Sequence, residues 1–140
     1  MKKLYYSASA YLAAGLLSGI IFREVTKIAG VPGPTALSKV HTHILALGFL
    51  MFLLLLLFEK TLDITKADYF SFFFAAYHTG LVITIVSMFT RGIVTILEQK
   101  GILALSSGLD ASISGISGLG HAILTIAFVI LMNILKQRIE

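Results

Sequence analysis

The run VHTHILALGFLMFLLLLLF, Val40 to Phe58, decides the fold. About 20 predominantly apolar residues cross the hydrocarbon core of a bilayer as an α-helix. This run supplies them, with no charged side chain beyond the histidines at its front. Those histidines, His41-Thr42-His43, are its other message. Ionisable side chains are costly inside a bilayer; they face the bundle interior and mark a cofactor, ion or proton site.

Working outward, three more apolar segments are long enough to span, near Tyr5–Arg23, Tyr69–Gly92 and Ala111–Leu135, with the second span taken as Thr35–Phe58. The 140 residues are 57% hydrophobic and 13% charged, and the mean hydropathy is +0.94, outside the range of a soluble domain. The sequence predicts an all-α, integral membrane four-helix bundle, with residues 1–140 forming a single transmembrane domain in the lipid bilayer. Met1-Lys2-Lys3 before an apolar stretch imitates a signal peptide. The run is long, however, and Arg23-Glu24 stands where a small-residue cleavage site is expected, so it is read as the first span. Without cysteine there is no disulfide, thiolate ligand or covalently attached haem.

In the first link, Gly30-Val31-Pro32-Gly33-Pro34 is expected to stop one helix and start the next, with Thr35 and Ser38 available as caps. Ile93–Leu105, in the longest link, is expected to form an amphipathic extension or a short interfacial helix. Lys2, Lys3, Lys60, Lys66, Lys136 and Arg138 lie on the side of the termini, and Arg23, Lys27, Lys39, Arg91 and Lys100 on the other. With Lys39 and Arg91 counted as helix members, the bias predicts a multi-pass protein of the bacterial cell membrane with both termini cytoplasmic. The net charge of +4 is thus a topology signal and does not suggest nucleic acid.

All four histidines fall within spans, His78 in the third and His121 in the fourth. At about 1.5 Å per residue, His41 and His43 lie about 8–12 Å below the outer face and His121 about 15 Å, a level at which the three could converge. His78 is deeper, near the midplane. Residues two apart on a helix differ by about 200°, so His41 and His43 look in different directions. His121 shares a stripe with Ser114, Ser117, Gly118, Thr125 and Phe128, the small and polar side that in a membrane faces other helices. In the first span, Ser7, Tyr11, Ala14 and Ser18 share a stripe beside Gly15-x-x-x-Gly19, a spacing that packs helices within a bundle or in a homodimer.

Neutral imidazole ligates haem iron, copper and zinc. A b-type haem takes axial histidines on opposite sides and a flat slot, for which Gly48, Gly80, Gly118 and Gly120 with Phe49, Phe89 and Phe128 are distributed along the spans. Arg23, Lys39 and Arg91 lie toward the same edge as His41, His43 and His121 and are candidates for the haem propionates, or for snorkelling to headgroups. A non-haem copper or zinc centre requires three or four ligands, hence His78, His121 and one of the pair, or a second subunit. Met51, Met88 and Met132 could serve copper but read as core. A proton relay through His78 with Tyr77 and Thr79 is a third chemistry. No nucleophile-base pair, phosphate loop or paired carboxylates lie in a span.

The stretches beginning at Tyr6, Gly33-Pro34-Thr35-Ala36-Leu37-Ser38, and Val40-His41-Thr42-His43-Ile44-Leu45 with Leu47-Gly48 resemble a family of small bacterial four-span membrane proteins of unknown function, over the whole chain. That family carries no assigned activity. A more distant similarity, at His41, His43 and Gly48, is to the catalytic subunit of haem-copper oxidases and to related haem- and copper-containing membrane proteins of nitric oxide metabolism. It implies haem binding. The chain lacks their adjacent His-His pair and is much shorter, which sets oxygen reduction aside.

The expectation is a membrane protein binding one or two haem b. His121 and one of His41 or His43 are the axial ligands; the remaining histidines form a second haem or metal site, with a homodimer as one way to build it. Its task is electron transfer with a redox partner, or gas or redox sensing. The alternative is copper or zinc handling without haem, and a third reading is an accessory packing subunit whose histidines only bridge helices.

Overall fold

The computed structural model describes residues 1–31 and 35–140. Among them are four helices long and apolar enough to cross a membrane: α1 Lys2–Ala29, α2 Leu37–Leu62, α3 Phe70–Gln99 and α4 Ser107–Ile139. α1 and α4 run past their expected spans at both ends, whereas α2 and α3 start one or two residues inside theirs and run past them at the C-terminal end. At about 1.5 Å per residue, helices of 26 to 33 residues exceed a hydrocarbon core of about 30 Å. Hydropathy marks only the buried middle, whereas backbone hydrogen bonding continues into the polar ends. Ile93–Gln99 is therefore the end of α3.

The local stops follow from the residues. Gly30 ends α1 in the left-handed region, at φ 63°, with its N–H on the Lys27 carbonyl. Pro32-Gly33-Pro34, the rest of the expected stop, lie outside the described residues. Thr35 and Ser38 do not cap α2, because Ser38 Oγ donates to the Thr35 carbonyl at 2.7 Å and the N-cap is Ala36. Ser106 does cap α4, its Oγ accepting from Leu109 N–H at 3.4 Å. In the last turn of α2, Glu59 is buried and accepts from the Thr65 N–H at 2.8 Å and the Thr65 hydroxyl at 2.6 Å, bracing the link to α3.

Sequential helices pair. Along α1 and α2, a Cβ added at Gly48 would lie 2.5 Å from Tyr11 Cγ, and one at Gly15 would lie 2.5 Å from a Leu45 methyl. Gly19 faces His41. The small stripe of α1 is thus used within the chain, against α2. Along α3 and α4, Gly80 meets the Leu124 backbone and Gly120 meets Thr84, so the two backbones touch. The α1–α2 and α3–α4 hairpins join through a core of Phe52, Leu55, Phe73, Tyr77 and Leu81, all fully buried. Leu16, Leu17, Leu53, Leu54, Val86 and Ile126 point outward, as acyl chains require.

Part of α2 is wound differently. Ile44–Leu50 is π-helical, a rare winding found mostly at functional sites. It lies immediately after the histidine pair. In it the Leu47 carbonyl accepts the Tyr77 hydroxyl at 2.7 Å, tying α2 to α3. The Tyr77 ring also meets Phe128 edge-on, with centroids 5.5 Å apart, so one side chain links α2, α3 and α4.

Candidate functional site

The four histidines occupy three kinds of surroundings. His43 and His121 share one. His43 Nδ1 lies 2.9 Å from the Lys39 carbonyl and His121 Nδ1 lies 2.8 Å from the Ser117 carbonyl, in each case one turn back on the same helix. A carbonyl only accepts, so Nδ1 carries the hydrogen in both. The neutral ring then presents Nε2 with a bare lone pair, which is how metal-ligating histidines are usually fixed.

Both rings line open grooves toward the end of the bundle that carries the α1–α2 and α3–α4 links. His121 faces a groove of about 400 Å³ with Ser87, Met88 and Arg91 of α3, Ser114, Ser117 and Gly118 of α4, and Ala36 before α2. His43 lines a groove with Lys39, Thr42, Ala46 and Leu47. It is seven residues from Ala36, a rotation within about 20° of two full turns, so the two share a stripe of α2. Tyr77 supplies a depth mark. His43 stands about 6 Å and His121 about 10 Å nearer the link end than the Leu47 and Phe128 contacts of that ring.

His41 looks elsewhere, as the 200° rule predicts. Its ring passes Gly19 and lines an outward groove with Leu12, Leu16, Leu45 and Phe49 of α1 and α2. Its Nδ1 is buried and unpaired.

His78 has both ring nitrogens engaged: Nε2 lies 3.2 Å from Ser7 Oγ and Nδ1 2.7 Å from the Tyr11 hydroxyl. Three aromatic rings surround it, those of Tyr11, Phe52 and Phe74, with centroids at 5.5, 4.9 and 4.4 Å. Among the described residues no group of three or more His, Asp or Glu side chains could hold one metal ion. Depth alone would let His41, His43 and His121 meet, but the three line separate grooves.

The candidate cations differ from one another. Arg91 is only 27% exposed and donates to the Asp110 carboxylate, to the Asp110 carbonyl at 3.0 Å and to Ser114 Oγ at 2.7 Å. It fastens α3 to α4 at the rim of the His121 groove. Arg23 is highly exposed and lies 3.9 Å from Glu24. Lys39 is exposed beside His43. Gly48 faces the Tyr11 ring and is no part of either groove, whereas Gly118 lines the His121 groove with open space at its Cα. Of the methionines, Met51 packs against the core, Met88 lines the His121 groove and Met132 is exposed.

Sequence reasoning placed Ser7 and Tyr11 on one stripe without connecting them to His78. Their spacing of four, which lets one helix reach both nitrogens of a ring on another, was the available signal. Asp110 as the partner of Arg91 carried none, since the pairing depends on how α3 and α4 cross.

The chain belongs to the DUF2871 family, described as a protein of unknown function, whose model matches residues 1–138. No curated protein and no solved structure matches it.

Proposed function

We propose that this member of a family without an attached activity is a membrane haem b protein, in which His43 and His121 would hold the haem iron. The observation that carries the reading is the shared posture of these imidazoles, each bound through Nδ1–H to its own helix and offering Nε2 to its own groove at the link end. A six-coordinate haem iron takes two such nitrogens, one on each face. Zinc or copper held by protein alone takes about three or four ligands. The described residues do not gather that many in one chain, which favours haem over the metal-handling alternative.

Bound haem would supply a one-electron couple, suited to electron transfer with a redox partner or to redox or gas sensing. The chain's residues do the rest. The Lys39 and Ser117 carbonyls hold the two tautomers, and Ser87, Met88 and Gly118 give the groove beside His121 small or pliable walls. Arg91, held by Asp110 and Ser114, keeps α3 and α4 together at the rim, and Lys39, beside His43, would meet a propionate. His41 and His78 lie outside this pair, so the reading assigns one haem per chain. With Lys39 and Arg91 counted as helix members, the bias of cations toward the terminal side supports a reading in which both termini are cytoplasmic.

The test is purification after expression with ample haem, followed by haem extraction and metal analysis. About one non-covalent haem per chain is expected. Stoichiometric copper or zinc with no Soret band would overturn the assignment in favour of metal handling.

A further inference from the structure

We propose that His78 is a proton-binding site inside the membrane, supplied from the terminal end of the bundle through Ser7. This stands apart from the haem reading, which does not use His78.

The argument begins with the partners. His43 and His121 are bonded to carbonyls, which only accept and so fix one tautomer. His78 is bonded to two hydroxyls, Ser7 Oγ at 3.2 Å and Tyr11 Oη at 2.7 Å. A hydroxyl both donates and accepts. Ser7 and Tyr11 can therefore satisfy either neutral tautomer, and by both accepting they can satisfy the imidazolium. A histidine serving only as a bridge has no need of that reversibility.

The surroundings are aromatic and uncharged. The rings of Tyr11, Phe52 and Phe74 pack around the imidazole, and aromatic faces attract a positive charge. The groups facing His78 are Ser7 and Tyr11 of α1, Phe52 of α2 and Phe74 of α3; none is charged, so no carboxylate would trap the proton.

A route leads in. At the terminal end a cavity of about 420 Å³ lies between the starts of α1 and α3, lined by Met1, Lys2, Lys3, Thr65, Ser71 and Phe74, among others. Phe74 lies against both that cavity and His78, and Ser7 is one turn of α1 beyond Lys3. The ionisable groups at the mouth are the Met1 amine, Lys2 and Lys3, with Glu59 3.9 Å from the amine. In the tautomer with hydrogen on Nδ1, that N–H donates to Tyr11 Oη and Nε2 accepts from Ser7. Ser7 then passes its hydroxyl hydrogen to Nε2 as it takes a proton from a hydronium ion, which is left as water, and the ring becomes imidazolium with both N–H groups bonded.

The experiment uses the full haem-free chain in nanodiscs, labelled with ¹⁵N at histidine, with the His78 signals identified by their loss in His78→Gln. Ring ¹⁵N shifts separate the two tautomers and the cation. On acidification, His78 is expected to show reversible proton uptake. Ser7→Ala should slow exchange of its ring N–H with water about tenfold, the rate equivalent of one hydrogen bond, and Ser7→Thr should restore it. A His78 fixed in one neutral tautomer throughout, or exchange unchanged in a folded Ser7→Ala protein, would overturn the proposal.

Discussion

Gly48→Ala should loosen the α1–α2 pair. The added methyl would lie 2.5, 2.7 and 2.8 Å from Tyr11 Cγ, Cβ and Cδ1. Ordinary carbon contacts are about 3.5–4.0 Å, so α1 must retreat by about 1 Å or Tyr11 must leave its rotamer. Overpacking of this kind costs about 1–3 kcal/mol, and the better helix propensity of alanine returns up to about 1. A net loss of about 1–2 kcal/mol is expected. Gly118→Ala is the control, because nothing lies within 4 Å of its new methyl; it should be neutral or slightly stabilising. The assay is reversible unfolding in mixed detergent micelles, followed by far-ultraviolet circular dichroism because the chain has no tryptophan. Adding Tyr11→Ala to Gly48→Ala should cost less than the sum of the single changes, since the ring is what the methyl strikes. A Gly48→Ala protein as stable as Gly118→Ala would refute the reasoning.

Two other predictions concern the framework. Tyr77→Phe removes the hydroxyl on the Leu47 carbonyl and should cost about 0.6–1.7 kcal/mol, the range for interhelical hydrogen bonds in membranes, in the same unfolding assay. At the α2–α3 link, the Lys66 ammonium, hydrogen-bonded at 2.9 Å, holds the Asp63 carboxyl below the usual carboxylate range. A depressed value in the folded chain means that the stabilisation is complete above the unfolded carboxyl value, about pH 4, and is lost as pH falls through the folded one. Amide exchange at Lys66 and Ala67, corrected for intrinsic rate, should therefore quicken on acidification, and Asp63→Asn should abolish that dependence.

The spans were legible because hydropathy is local: an unbroken run such as Leu53 to Leu57 has one sensible fate in a membrane. Helix ends were less legible. Ile93 to Gln99 fell beyond the expected span, yet its backbone continues α3, and Arg91 just before it fastens that end to α4. Helical geometry also separated His41 from His43 correctly. Depth alone could not show which histidines meet, because azimuth across a bundle is set by contacts between helices. His78 pairs with residues 71 and 67 positions away. Gly48 shows the same limit: a glycine near a histidine pair suggests a cofactor slot, and only the packed α1 reveals that its space belongs to Tyr11. The carbonyl bonds that fix the tautomers of His43 and His121 span one turn and were within reach of the sequence, but a histidine ring can reach its own helix only in some rotamers.

The most direct test of the haem assignment is a reduced-minus-oxidised visible spectrum of the haem-loaded protein, recorded for the parent chain and for His43→Ala, His121→Ala, His41→Ala and His78→Gln. The account predicts a Soret and an alpha band that His43→Ala and His121→Ala each abolish or convert to a high-spin form, while His41→Ala and His78→Gln retain them. A flat spectrum in the parent chain, or bands that survive loss of both His43 and His121, would contradict it.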